Sequence, residues 1–159
     1  MRMLHPLLCL LLALPVIGEF SNMRFTGEHA YGYSVQLWRN GDNLMGLFLA
    51  SEGLAGDTPT GILENLKFDA RTGKLSFRAK LTMGVEVLGN GRQASTRDLF
   101  EFDGTLTKTA LAGTLKRSPG RVERVKLAKQ KENSTIEAAT YEEWKKQVDE
   151  ILRYRGPKW

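Results

Sequence analysis

From residue 31 onward the apolar positions recur every second residue. Tyr31, Tyr33, Val35 and Leu37 share one parity, while Ser34 and Gln36 take the other. That is the pattern of a strand with one face on a core. Asn40–Asn43 follows as Asn-Gly-Asp-Asn, the strongest short hairpin signal, because its residues tolerate positive φ. The return run, Leu44–Ala50, is apolar at both parities, so it is expected to be covered on both faces.

The alternation then continues through the chain. Ile62, Glu64, Leu66 and Phe68 share a parity between Thr60 and Asp69. A turn at Asp69–Gly73 leads into Lys74–Met83, the clearest strand, with Leu75, Phe77, Ala79, Leu81 and Met83 opposite Lys74, Ser76, Arg78, Lys80 and Thr82. Gly84–Ser95, with Gly-Asn-Gly at 89–91, reads as a hairpin tip or a loop. Arg97–Leu106 and Ala110–Arg117 resume the pattern on either side of a Thr-Lys-Thr-Ala turn, with Phe100, Phe102, Leu106, Leu111 and Leu115 inward. Successive hairpins imply an antiparallel meander, and a meander buries its apolar face by closing into a barrel or folding into a sandwich. Gly46, Gly104 and Gly113 inside strands mark the bends that a small barrel needs.

Near the end the period changes. Tyr141, Trp144, Val148, Ile151 and Leu152 recur at three- and four-residue steps, one apolar stripe of a helix over 140–155. Thr140 and Glu143 have the spacing of a capping box, Glu142–Lys146 and Asp149–Arg153 that of helical ion pairs, and Gly156-Pro157 that of a stop. The stripe is expected to pack on a barrel mouth or an outer sheet face. The expected fold is therefore all-β with one C-terminal amphipathic helix, and it resembles lipocalin-like and avidin-like barrels in outline alone. No motif of either family, such as a lipocalin Gly-x-Trp near the first strand, is present.

The N-terminus modifies this picture. MRMLHPLLCLLLALPVIG carries an early cation, a dense apolar run and then small residues, the layout of a secretory leader, with cleavage expected between Gly18 and Glu19. The run is short for a bilayer span, and an uncleaved membrane anchor is the alternative. The expected organisation is a leader over 1–18, a β domain over 19–117, a basic connector over 118–134 and the helical segment over 135–159. An exported, periplasmic or secreted protein follows. Cys9, the only cysteine of the chain, lies in the leader, so a cleaved protein has no disulfide, thiolate nucleophile or thiolate metal ligand.

The net charge is +5, and seven cations between Lys116 and Lys131 face a single acid, Glu123. Nucleic acid is disfavoured as a partner, because this segment has no aromatic residue for base stacking. His29 is the only histidine outside the leader, which leaves too few ligands for a standard zinc site. Gly56–Gly61, Gly-Asp-Thr-Pro-Thr-Gly, lacks the lysine and the helix of a phosphate-binding loop and reads as a turn at a barrel rim.

Neither an enzyme nor a cofactor is expected. The leading expectation is a binding protein for a small apolar or amphipathic ligand, lined by Tyr31, Tyr33, Phe77, Phe100 and Phe102, with Glu64 and Asp98 as inward acids. The alternative is an interaction module for an envelope protein partner, an inhibitor or assembly factor, that uses the basic connector and the helix. An enzyme, the third reading, needs His29, Glu64 and Asp98 in one cluster.

Overall fold

The computed structural model describes residues 16–132 and 136–155, with side chains through 153. The apolar run of the leader and the Gly156-Pro157 stop lie outside the described residues. Among the described residues twelve strands precede one α-helix: β1 Val16–Ser21, β2 Arg24–Thr26, β3 His29–Asn40, β4 Asn43–Leu54, β5 Thr60–Ile62, β6 Glu64–Phe68, β7 Lys74–Leu81, β8 Val85–Val87, β9 Gln93–Ser95, β10 Asp98–Leu106, β11 Ala110–Ser118, β12 Arg121–Lys129 and α1 Tyr141–Arg155.

All but β8 and β9 join one antiparallel sheet in the order β5-β4-β3-β1-β12-β11-β10-β7-β6, with β2 pairing the start of β3. The two terminal strands of that order are consecutive in the chain, separated by Leu63 alone. β5 pairs with β4, and β6 pairs with β7, so one kinked strand ties the sheet's two edges together into a nearly closed barrel. The sandwich alternative falls away.

The kink has a cause in the backbone. Asn65 has φ +52°, and the register moves from Glu64↔Arg78 to Lys67↔Ser76, one extra residue on β6. This bulge reverses the parity. Leu63 before it is buried, and Leu66 and Phe68 after it pack on the core, while Glu64 falls opposite the exposed Arg78. Glu64 therefore faces outward, contrary to the parity argument, and pairs with Lys80 at 3.6 Å. Gly46 makes room for the kink, since a Cβ there would meet Leu63 Cδ1 at 2.6 Å and the Gln36 carbonyl at 2.4 Å.

The inner face is filled by Phe20, Val35, Leu37, Phe48, Leu75, Phe77, Leu81, Phe100, Phe102, Leu111, Leu115 and Leu127, among others, all buried. β4 is covered on both sides, as its composition requires. Phe48 and Ala50 point inward, while Leu47 and Leu49, with Met45, lie under the C-terminal segment. There Trp144 and Ile151 of α1 pack with Trp38, Leu47 and Ile62 on the outer face, and Trp38 Nε1 donates to the Ala138 carbonyl at 2.9 Å. The capping box forms: Glu143 N donates to Thr140 Oγ1 at 3.2 Å, and Thr140 N donates to Glu143 Oε2 at 3.0 Å. Among the described residues the helical ion pair is Glu142–Lys145, three apart, at 3.7 Å.

The basic connector expected over 118–134 is instead largely β12, and the β domain extends past 117 to Lys129. Val125 and Leu127 are its inward residues and complete the core, with Arg124 and Lys126 alternating outward. The dense cations hid a period-two pattern carried by only two buried side chains. β12 also forms the seam with β1, through Phe20↔Lys129 and Ser21↔Ala128. The expected cleavage point falls inside β1. The part beyond it, Glu19–Ser21, contains both residues that pair with β12, whereas Val16 and Gly18 pair with β3 alone across a register shift.

Candidate functional site

Of the five aromatic residues expected to line a pocket, four are core. The Phe48 ring lies 5.0 Å from Phe100, 5.8 Å from Tyr33 and 5.9 Å from Phe77, and Phe77 stacks on Phe102 at 5.1 Å. These centroid separations are those of rings in mutual contact. Tyr33, Phe77, Phe100 and Phe102 thus hold one another in the core. The reason is Phe48, whose place in a strand apolar at both parities concealed that its ring meets Tyr33, Phe77 and Phe100. Phe77 and Phe102 also border a hollow of about 630 Å³ beside the β6 bulge, with Asn65, Lys67, Arg78 and Glu101. Tyr31 has the same parity but lies beyond the barrel end, 49% exposed and stacked on His29.

Asp98 does face inward, 4% exposed, at that same end. Its Oδ1 accepts from Arg117 Nε at 2.8 Å, and its Oδ2 accepts from Thr96 Oγ1 at 2.6 Å and from Met83 N at 3.1 Å. Arg117 lies over the Phe100 ring, 5.6 Å from its centroid, and donates also to Glu52 at 2.9 Å. Arg121 reaches Glu52 and Glu123, and the Tyr33 hydroxyl donates to Glu123. This network caps the aromatic core. His29, Glu64 and Asp98 have different neighbours on different strands, so the enzyme reading loses its cluster.

Burial first, then the hydrogen bond to Glu123 and its charge, push the Tyr33 phenol well above its ordinary value of 10. The phenol stays protonated in the fold after it ionises in the unfolded chain. Its contribution to stability is therefore complete below pH 10 and declines as pH rises above it. Between pH 9 and pH 11 the unfolding free energy of the native chain should fall by about 1 kcal/mol more than that of Tyr33→Phe. Urea titrations of the two proteins at both pH values measure the difference, and equal losses would refute the assignment.

The structure builds a different hollow on the outside of the barrel. Asp57, Thr58, Pro59 and Thr60, the last two residues of β7, Lys80 and Leu81, with Thr82, and Gln147, Glu150 and Ile151 of α1 enclose a cleft of about 360 Å³. Three separate segments meet there for local reasons. The loop leaves β4 through a 3-10 turn at Ala55–Asp57, closed by Thr58 Oγ1 donating to the Ala55 carbonyl at 3.0 Å. The Pro59 carbonyl accepts from Ala50 N at 3.1 Å, which folds the loop back along β4. Gly61 then passes against β7, where a Cβ would lie 2.7 Å from the Lys80 carbonyl and from Leu81 Cδ1. The apolar stripe of α1 brings the helix over β5.

Leu81 and Ile151, with Pro59, give the cleft an apolar side, and threonines, carboxylates and an amide give it a polar one. Gln147 Oε1 is buried without a hydrogen-bond partner among the described residues. The turn is braced from the side chains by Thr58, whose hydroxyl donates to the Ala55 carbonyl, while Asp57 accepts no backbone N–H among the described residues. Of the cleft residues only those of the 56–61 loop were visible from the sequence as rim positions. The helical side was not, because a periodic stripe says that a helix packs and not where. No family model, curated protein or solved structure matches the chain.

Proposed function

We propose that the protein is an exported binding module, not an enzyme, and that it holds a small amphipathic molecule in the cleft between the 56–61 loop, the end of β7 and α1. The observation that carries this reading is the cleft itself. Its volume lies in the range of small-molecule sites, and an apolar wall faces a few convergent polar groups, one of them a buried acceptor with no partner. The ring-packed interior supports no site of that kind. The interaction reading has less support, because Trp144 and Ile151 of α1 pack on the barrel wall, although β12 keeps Arg124 and Lys126 exposed on its outer side.

Native mass spectrometry of the full chain, expressed with its own leader and recovered from the exported fraction, tests the proposal. The expected spectrum shows a ligand mass that is released on denaturation, on a protein shortened by 18 residues. Thr82→Trp, which fills the cleft from one side, should lose that mass while keeping the native circular dichroism. Absence of a bound mass in the native protein, or its retention by a folded Thr82→Trp, would overturn the proposal.

A further inference from the structure

The hydrogen-bonding character of the cleft narrows the ligand's chemistry further. This step rests on the reading of the cleft as a binding site. The hydroxyl protons of the loop are already committed: Thr58 donates to the Ala55 carbonyl, and Thr60 donates to the Thr58 carbonyl at 3.2 Å. What these hydroxyls retain is acceptor capacity. Gln147 Oε1 is a second kind of acceptor, buried and unanswered. Asp57 and Glu150 line the cleft from opposite elements, the loop and the helix, and neither has an ion-pair or hydrogen-bond partner among the described residues. Lys80 is the cation in the lining, and its charge is met by Glu64 at 3.6 Å.

We infer that the cleft takes a ligand with a protonated amine, seated between Asp57 and Glu150 and donating to Gln147 Oε1, with a short apolar portion against Pro59, Leu81 and Ile151. An ammonium brings three donors and no acceptor, and so complements a lining rich in acceptors. A carboxylate or phosphate head would face two uncompensated negative charges. A bound metal ion fits less well, because no group of three or more His, Cys, Asp or Glu side chains suited to a metal occurs among the described residues.

The test is an NMR titration of the ¹⁵N-labelled full chain at neutral pH with three probes of matched length: n-hexylamine, n-hexanol and hexanoate. The amides of Thr58, Thr60, Leu81, Gln147 and Ile151 report the cleft. Hexylamine should bind about tenfold more tightly than hexanol, the scale of one charge-assisted hydrogen bond, and hexanoate should bind most weakly. The double variant Asp57→Asn, Glu150→Gln alters exposed side chains only. It should remove the preference for the amine while hexanol still shifts the same amides. If hexanol or hexanoate binds there as tightly as hexylamine, or if the double variant keeps the preference, the amine assignment fails and the cleft remains a site. If none of the probes shifts these amides, the cleft reading itself fails.

Discussion

Phe48→Ala is expected to lower the unfolding free energy by about 4 kcal/mol. Phe48 is 1% exposed and within ring contact of Tyr33, Phe77 and Phe100, on three other strands of the barrel. Truncation removes the transfer free energy of the ring and leaves a void that these neighbours, themselves locked by Phe102 and by the cap above, cannot collapse to fill. Domains of this size are stable by about 5–15 kcal/mol, so the variant should be near its folding limit at 25 °C. Tyr31→Ala, at the exposed rim, should change stability by no more than about 0.5 kcal/mol. Urea unfolding followed by tryptophan fluorescence measures both. A Phe48→Ala loss below about 1.5 kcal/mol would mean that the rings enclose a yielding space and would reopen the interior as a ligand pocket.

The second large effect is at the cap. Asp98→Ala should cost about 3 kcal/mol, because it removes one partner of a buried ion pair and leaves the others unmatched. Asp98 has a side chain 5% exposed and answers Arg117, Thr96 and Met83 N together, while Arg117 is 21% exposed and stays over Phe100. Glu52 compensates little for the loss, since it is 43% exposed and its attraction is screened by water. Arg117→Met should therefore cost less in the Asp98→Ala background than in the native chain, with a coupling of about 1 kcal/mol or more. The four proteins of that cycle, compared by their urea midpoints, decide it. Strict additivity would mean that the pair is formed but energetically idle.

The cap also shows how far the parity argument reached. Asp98 was placed inward by its spacing from Phe100 and Phe102, and it is inward, because β10 runs without a bulge from Asp98 to Leu106 against both neighbours. Glu64 was placed inward by the same argument and is outward, because Asn65 inserts a residue in the left-handed conformation between Glu64 and Leu66. Nothing in the residue types around Asn65 announces that bulge. It is imposed by the need of one strand to leave β4 and join β7 within nine residues, Thr60–Phe68.

Local chemistry was enough wherever each residue's environment depends on its near neighbours. Alternation determined the strands β3, β7, β10 and β11, the three- and four-residue period determined α1, and the spacing of Thr140 and Glu143 determined its start. The number of inward apolar residues then required a closed or folded sheet. Tertiary structure alone decided the rest. Which strands form the seam, which face of the barrel the helix covers, and whether the inward rings leave a space all depend on pairs distant in the chain, such as Phe20 with Lys129, Trp38 with Ala138, and Phe48 with Phe100. A period of two assigns a side chain to a face. It does not say what stands across from that face, and the cleft between the loop and the helix exists only because of what stands there.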